Sequence, residues 1–127
     1  FVCTHVTPEL TRARREWQLH PSGATGIAEI FIAAADAAAA RAQLAPASPT
    51  NATIMIASRE EIAGKLGTRA LEGAPAEGIV AMTIRVNELD AAGAMLSMGR
   101  IPHEETRHAI TVPATSANGI VVRFSED

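Results

Sequence analysis

The chain has 127 residues, 47% of them hydrophobic, which is enough for one domain with a core and too short for two independent cores. The formal net charge is −3, without a basic stripe or interleaved aromatic residues, which argues against a nucleic acid or an anionic membrane surface as partner. Cys3 is the single cysteine and the longest apolar run, Ile30–Ala35, is too short to span a membrane, so we expect a cytoplasmic protein without internal disulfides.

The first half of the chain alternates predicted strands and helices. In chain order these are a strand over 1–6, a polar connector over 7–22, a strand over 26–34, an Ala-rich helix over 36–45, a strand over 51–57 and a short helix over 59–66. Asp36 is the predicted cap of the Ala-rich helix. Ser58 and Glu61 have the spacing of a capping box, and Gly67 predicts the end of the short helix.

The second half repeats this alternation. It predicts a loop over 68–77, a strand over 78–86, a helix from a cap at Asn87 to Gly99, a hairpin of 101–106 with 108–112, a loop over 113–119 and a last strand over 120–125. An offset of 52 residues places Gly26 on Gly78 and aligns a strand, a cap and a helix in the same register. Two strand–helix pairs share part of such a pattern by chance, but a duplicated unit, about 26–77 and 78–127, explains it more naturally.

The opening stretch also carries a family resemblance, in Cys3-Thr4-His5-Val6-Thr7-Pro8-Glu9-Leu10, Glu16-Trp17-Gln18, His20-Pro21-Ser22-Gly23-Ala24 and Gly26-Ile27-Ala28-Glu29. Together with Asn87–Ala92 and Asn118–Val122, it resembles the second half of glyoxalase-like proteins of the vicinal-oxygen-chelate superfamily. This superfamily includes glyoxalase I, extradiol dioxygenases and bleomycin-resistance proteins.

The resemblance implies an α+β domain over 23–127, built from paired β-α-β-β-β units that curve around a cleft. It also implies that residues 1–22 are a strand and connector belonging to a preceding domain. The first unit is expected to lack a strand, because the short helix and the loop after it occupy the space. Expected partners are a small-molecule ligand and either a second copy of the chain or the preceding domain.

The resemblance further implies His or Glu ligands for a divalent metal, such as Zn, Mn, Fe or Ni, on the first and last strand of each unit. Glu29 lies at the ligand place of the first strand, where it is a candidate metal ligand or catalytic base. The equivalent place in the second unit holds Ala81, and the last strand has Arg123 where a glutamate is expected. A structural ion pair between Glu29 and Arg123 is the alternative, with Arg123 also a candidate for binding a substrate carboxylate.

Four further residues are candidates for the site. His103 and Glu105 share one face of a predicted strand, with His108 across the turn, so the three form either a metal-binding set or a solvated hairpin, and His103 and Glu105 are candidate cleft residues that bind substrate. Trp17 is a candidate for stacking a ligand, or else a hydrophobic anchor of the connector. His5 is a candidate metal ligand, in a site with Cys3 and His20, or else these residues pack the junction with the preceding domain.

Two functions follow from these residues. The first is a degenerate, metal-poor domain that binds a small molecule or forms a structural half of a larger protein, which Ala81 and Arg123 favour. The alternative is a metal-dependent lyase, isomerase or dioxygenase that acts on a small oxygen-rich metabolite, and the fold alone cannot decide between the two.

Overall fold

The computed structural model describes residues 19–44 and 51–126, together with Thr7, Glu9 and Ala13. Six strands form one mixed sheet: β1 Ala24–Ala33, β2 Thr53–Ala57, β3 Gly78–Val86, β4 Glu104–Glu105, β5 Ile110–Val112 and β6 Val121–Ser125. Their order across the sheet is β2-β1-β3-β6-β5-β4. The predicted strand over 1–6, with Cys3 and His5, and the connector residue Trp17 lie outside the described residues.

Within residues 19–44 and 51–126, three α-helices connect the strands: α1 Ala37–Leu44, α2 Arg59–Leu66 and α3 Leu89–Met98. The predicted cap of α1 is confirmed, because Asp36 Oδ1 accepts a hydrogen bond of 2.9 Å from the backbone N–H of Ala39. The capping box of α2 is also confirmed, with Ser58 and Glu61 each bonded to the other's backbone N–H. Within the described ranges, no helix has the length and apolar character needed to cross a membrane.

The predicted cap of α3 is wrong. Glu88, not Asn87, is the residue before the helix, and its side chain makes no capping bond. The backbone N–H of Leu89 instead donates a hydrogen bond of 2.9 Å to Glu126 Oε1, from the far end of the chain. An exposed first turn needs an acceptor, and here tertiary structure brings a carboxylate that no local pattern indicates.

The two halves of the sheet differ in strand number. The second half is complete, since β3 pairs in parallel with β6, which pairs in antiparallel fashion with β5, and β5 pairs likewise with β4. The first half contributes β1 and its parallel partner β2, and the chain then enters α2 and a 3₁₀ turn at Arg69–Leu71. The first unit is therefore two strands shorter than the second in the described residues, not one as expected, because the capping box at Ser58 starts a helix there.

The antiparallel pair of β1 and β3 lies between the two parallel pairs of the sheet, β2 with β1 and β3 with β6. The 52-residue offset carries residues 29–33 of β1 onto residues 81–85 of β3, and these are the residues that pair with β2 and β6, respectively. The two parallel ladders thus occupy equivalent places under this offset, whereas the internal repeat and duplication as its origin stay predictions.

Each face of the sheet has its own core. On one face, Ile62 of α2 and Leu71 of the following 3₁₀ turn are buried against Phe31, Ala81 and Val121. On the other face, Ala92 and Leu96 of α3 pack against Val112, Ile110 and Phe124. Because α2 is only eight residues long, it covers one end of its face and leaves the other end open.

Candidate functional site

A row of polar side chains crosses all six strands where the cover of α2 ends. Direct pairing joins Glu29 to both Thr53 and Thr83, Thr83 to Arg123, Arg123 to Thr111, and Thr111 to Glu104. Directly paired residues of neighbouring strands point to the same face, so these six side chains share one face of the sheet. We call this set the polar row: Thr53, Glu29, Thr83, Arg123, Thr111 and Glu104.

The adjacent row on the same face is entirely apolar. It runs from Met55 through Phe31 and Ala81 to Val121, and it belongs to the core beneath α2. The polar row thus marks the boundary at which the buried end of the face gives way to an open cleft.

Glu29 is the most connected member of the polar row. Its Oε2 accepts a hydrogen bond of 3.0 Å from the hydroxyl of Thr83, a residue only 1% exposed. Arg123 Nη1 lies 3.8 Å from Oε2, and Lys65 Nζ lies 3.8 Å from Oε1. At 3.8 Å both are ion pairs that are too long to be hydrogen bonds, so neither cation donates a hydrogen bond to Glu29.

The first cavity of the cleft opens beside Glu29 and Arg123 and has a volume of about 340 Å³. We call it the arginine cavity; its lining residues are Ala28, Glu29, Thr53, Arg85, His108, Arg123 and Ser125. Arg85 and Arg123 outnumber the single lining carboxylate, Glu29. The local charge is therefore positive in a chain whose net charge is −3.

A second cavity, of about 170 Å³, lies further along the same face. We call it the proline cavity; its lining residues are Arg69, Ala70, Pro102, His103, Glu104, Thr111 and Pro113. Thr111, which lines it, pairs directly with Arg123, which lines the arginine cavity. The two cavities are therefore neighbours along the polar row.

His103 lies at the proline cavity with both ring nitrogens engaged. Nδ1 is 2.7 Å from the carbonyl oxygen of Ile101, and Nε2 is 3.0 Å from Glu105 Oε1. Both partners are acceptors, so the bonds are best satisfied by the doubly protonated imidazolium. The backbone bond to Ile101, assisted by Glu105, accordingly raises the pKa of His103 above its ordinary value of 6.5.

Glu105 lies on the other face of the sheet, away from the polar row. It pairs with Ile110, a residue of the core beneath α3. Its carboxylate occupies the space beside Gly93 of α3, where an added Cβ would lie 2.7 Å from Oε1. His103 and Glu105, which the sequence predicts to lie together, are thus in contact through a hydrogen bond to each other. Of the two, only His103 lines a cavity of the cleft.

The described residues do not fit a divalent metal. They contain no group of three His, Cys, Asp or Glu side chains close enough to hold one. Of the places that the resemblance implies, Glu29 is flanked by two cations, Ala81 is apolar and Arg123 is itself a cation. His20 Nδ1 is 2.7 Å from the hydroxyl oxygen of Ser22. The roles predicted for His5 and Trp17 stay predictions, because both residues lie outside the described ranges.

Sequence reasoning missed two residues of the cleft that the pattern could have indicated. Thr83 and Arg85 follow Ala81 at alternate positions of a confirmed strand, so all three share one face; Ala81 is buried beneath α2, and Thr83 and Arg85 lie further along, at the cleft. Lys65 and Arg69 had no such indication, because they reach the cleft from α2 and the turn after it.

A mixed sheet of this strand order with helices on it is the α+β vicinal-oxygen-chelate, or glyoxalase, fold, as predicted. A similar solved structure is methylmalonyl-CoA epimerase from Mycobacterium tuberculosis, at 20% sequence identity and a TM-score of 0.53, over 84% of this chain and 91% of that chain. At this identity the likeness shows the fold alone. No protein-family model matches the sequence, and no curated protein matches it significantly.

Proposed function

We propose that this chain is a metal-independent, glyoxalase-like domain that binds a small molecule through a negatively charged group. The observation that carries the proposal is the position of Arg123, which lies on the last strand within 3.8 Å of Glu29. A guanidinium at this place attracts an anion and repels a metal ion.

The charges around Glu29 support this choice. Before desolvation, side-chain entropy and salt screening are counted, two unit charges about 4 Å apart interact by about 4 kcal/mol at an effective dielectric of about 20. Arg123 and Lys65 each lie at nearly this distance from Glu29, so a divalent ion there would meet one attractive charge and two repulsive ones. An anionic ligand experiences the opposite balance, with Arg85 as a further attractive charge in the same cavity.

A metal-dependent lyase, isomerase or dioxygenase is the alternative. The similar fold of an epimerase is compatible with the isomerase form of this alternative. It requires ligands from residues beyond the described ranges, with His5 as the candidate that the sequence offers. A degenerate domain could instead have a purely structural role, as one half of a larger protein. Its cleft would then bind no ligand.

The deciding experiment is metal content by elemental analysis after dialysis against a chelator and reloading with Zn, Mn, Fe(II) or Ni. We expect no stoichiometric uptake and an unchanged thermal unfolding midpoint. Near-stoichiometric uptake that is lost in Glu29→Gln and kept in Glu104→Gln, a matched carboxylate change in the same polar row, would contradict the proposal. Anion binding is then measured on the chelator-treated protein.

A further inference from the structure

We infer that the ligand is an organic monoacid whose carboxylate lies between Arg85 and Arg123 and whose apolar body extends along the polar row into the proline cavity. This inference rests on the proposed function and names its ligand class. It follows from three features of the cleft: two arginines at one end, apolar surface at the other, and carboxylates that disfavour a second negative charge.

The arginine end suits a carboxylate. Arg123 pairs with Thr83 and Arg85 with Ser125, so the two arginines stand on neighbouring strands and on the same face, two residues apart in register. Among the described residues, no carboxylate lies within ion-pair distance of Arg85, and Arg123 has only the 3.8 Å contact with Glu29. Their planar guanidinium groups therefore have donors available for the oxygens of a carboxylate.

The proline end suits an apolar group. Ala70, Pro102 and Pro113 give it a hydrocarbon surface, which the two proline rings make rigid. Arg123 on β6 and Glu104 on β4 are two strand spacings apart, about 10 Å. An extended chain of medium length therefore reaches from the arginines into the proline cavity. The arginine cavity alone, at about 340 Å³, lies at the lower end of the range for ligand sites, which favours a small molecule over a nucleotide or a peptide.

The placement of the carboxylates of the protein limits the ligand to one negative charge. Glu29 opposes a second carboxylate toward β1, so the body of the ligand extends toward β5 instead. In the proline cavity, Glu104 offsets the charge of Arg69, and the His103 ring is paired with Glu105. Neither direction offers the net positive charge that the second carboxylate of a diacid needs.

The test is calorimetric titration of the chelator-treated protein with hexanoate, acetate, hexanamide and succinate. We expect hexanoate to bind at least about tenfold more tightly than acetate, which lacks the apolar body, and than hexanamide, which lacks the charge. If acetate binds as tightly as hexanoate, or succinate binds more tightly than hexanoate, the inferred ligand class is wrong, whereas the proposed function of anion binding still holds. Absence of binding by all four compounds would contradict both the inference and the proposed function.

Two variants locate the two ends. Arg123→Gln should weaken hexanoate and acetate alike by about tenfold, whereas Arg100→Gln, an arginine outside both cavities, should leave both unchanged. Ala70→Leu fills the proline cavity and should weaken hexanoate while preserving acetate, and the preserved acetate binding shows that the variant is folded. Loss of hexanoate binding in Arg100→Gln, or full hexanoate affinity in Ala70→Leu, would overturn the assignment.

Discussion

Thr83 and Glu29 join the neighbouring strands β3 and β1 through their side chains. The Thr83 hydroxyl donates a 3.0 Å hydrogen bond to Glu29 Oε2, between residues that also pair directly across β1 and β3. Thr83 is fully buried, whereas the Glu29 side chain keeps 26% of its surface exposed. The bond thus fixes the carboxylate at the floor of the cleft, with its second oxygen toward Lys65.

Replacing Thr83 by Val removes this donor while keeping the shape of the side chain. We expect the free energy of unfolding to fall by about 1 kcal/mol, because the buried bond to a charged acceptor is lost. Chemical denaturation measures the change. Thr111→Val in the same polar row is the control and should stay within about 0.5 kcal/mol of the parent. Equal effects at the two positions would contradict a special role of the Thr83 bond.

The contact between Arg123 and Glu29 should give a small and salt-dependent coupling. A double-mutant cycle with Glu29→Gln and Arg123→Gln isolates it from the other effects of each change. At 3.8 Å and with both side chains partly exposed, we expect a coupling of about 0.5 kcal/mol at low salt that declines in concentrated salt. Additive single effects at low salt would show that the two charges do not interact.

His103 should contribute stability that depends on pH. Its bonds to Ile101 and Glu105 favour the imidazolium, so its pKa in the folded protein lies above that in the unfolded chain. The contribution is therefore fully present below the unfolded pKa of about 6.5 and is lost as the pH rises through the folded pKa.

A proton NMR titration of the His103 ring checks this directly. Glu105→Gln should lower the pKa, because it removes a negative partner from Nε2. Glu104→Gln is the matched control, one residue away and on the opposite face of the sheet, and should change the pKa less. An equal or larger effect of Glu104→Gln would contradict the geometry of the pair.

The capping box of α2 should contribute measurably to stability. Ser58→Ala removes the hydroxyl that accepts from the N–H of Glu61, and we expect a loss of about 1 kcal/mol in denaturant unfolding. The N–H and hydroxyl of Ser58 also hold the pKa of Glu61 below its ordinary value of 4.5. The stability that the ionised Glu61 contributes is therefore lost as the pH falls through its pKa in the folded protein. Ser97→Ala, at an exposed site in α3, is the control and should change stability by less than 0.5 kcal/mol, about the range of a surface substitution.

Local sequence patterns predicted much of the fold. The strand over 78–86 is confirmed over its full length, and the helix ending at Leu66 is confirmed with its capping box, because both depend on residues that are neighbours in sequence. The hairpin is confirmed as well, although β4 has only two residues. The cap of α3 was not predictable, since Glu126 reaches it from 37 residues away.

The candidate site was predictable in part. The resemblance placed Glu29 and Arg123 at the cleft, and their contact is found in the structure. The orientation of Glu105 toward Gly93 was not predictable, because it depends on how closely α3 approaches the sheet. The polar row as a whole was likewise not predictable, since it follows from the register of five strand pairings between distant segments of the chain.

The polar row takes one residue from each of the six described strands, including the short outer strands β2 and β4. Partly opened forms that release β4 lose Glu104 from the lining of the proline cavity, and forms that release β2 lose Thr53 from the lining of the arginine cavity, so either form offers the ligand an incomplete cleft. Binding would disfavour such local opening, and the amide hydrogens of the outer strands would exchange with solvent more slowly as a result. Ligand binding would thus stabilise the pairing of the two outer strands with the rest of the described sheet.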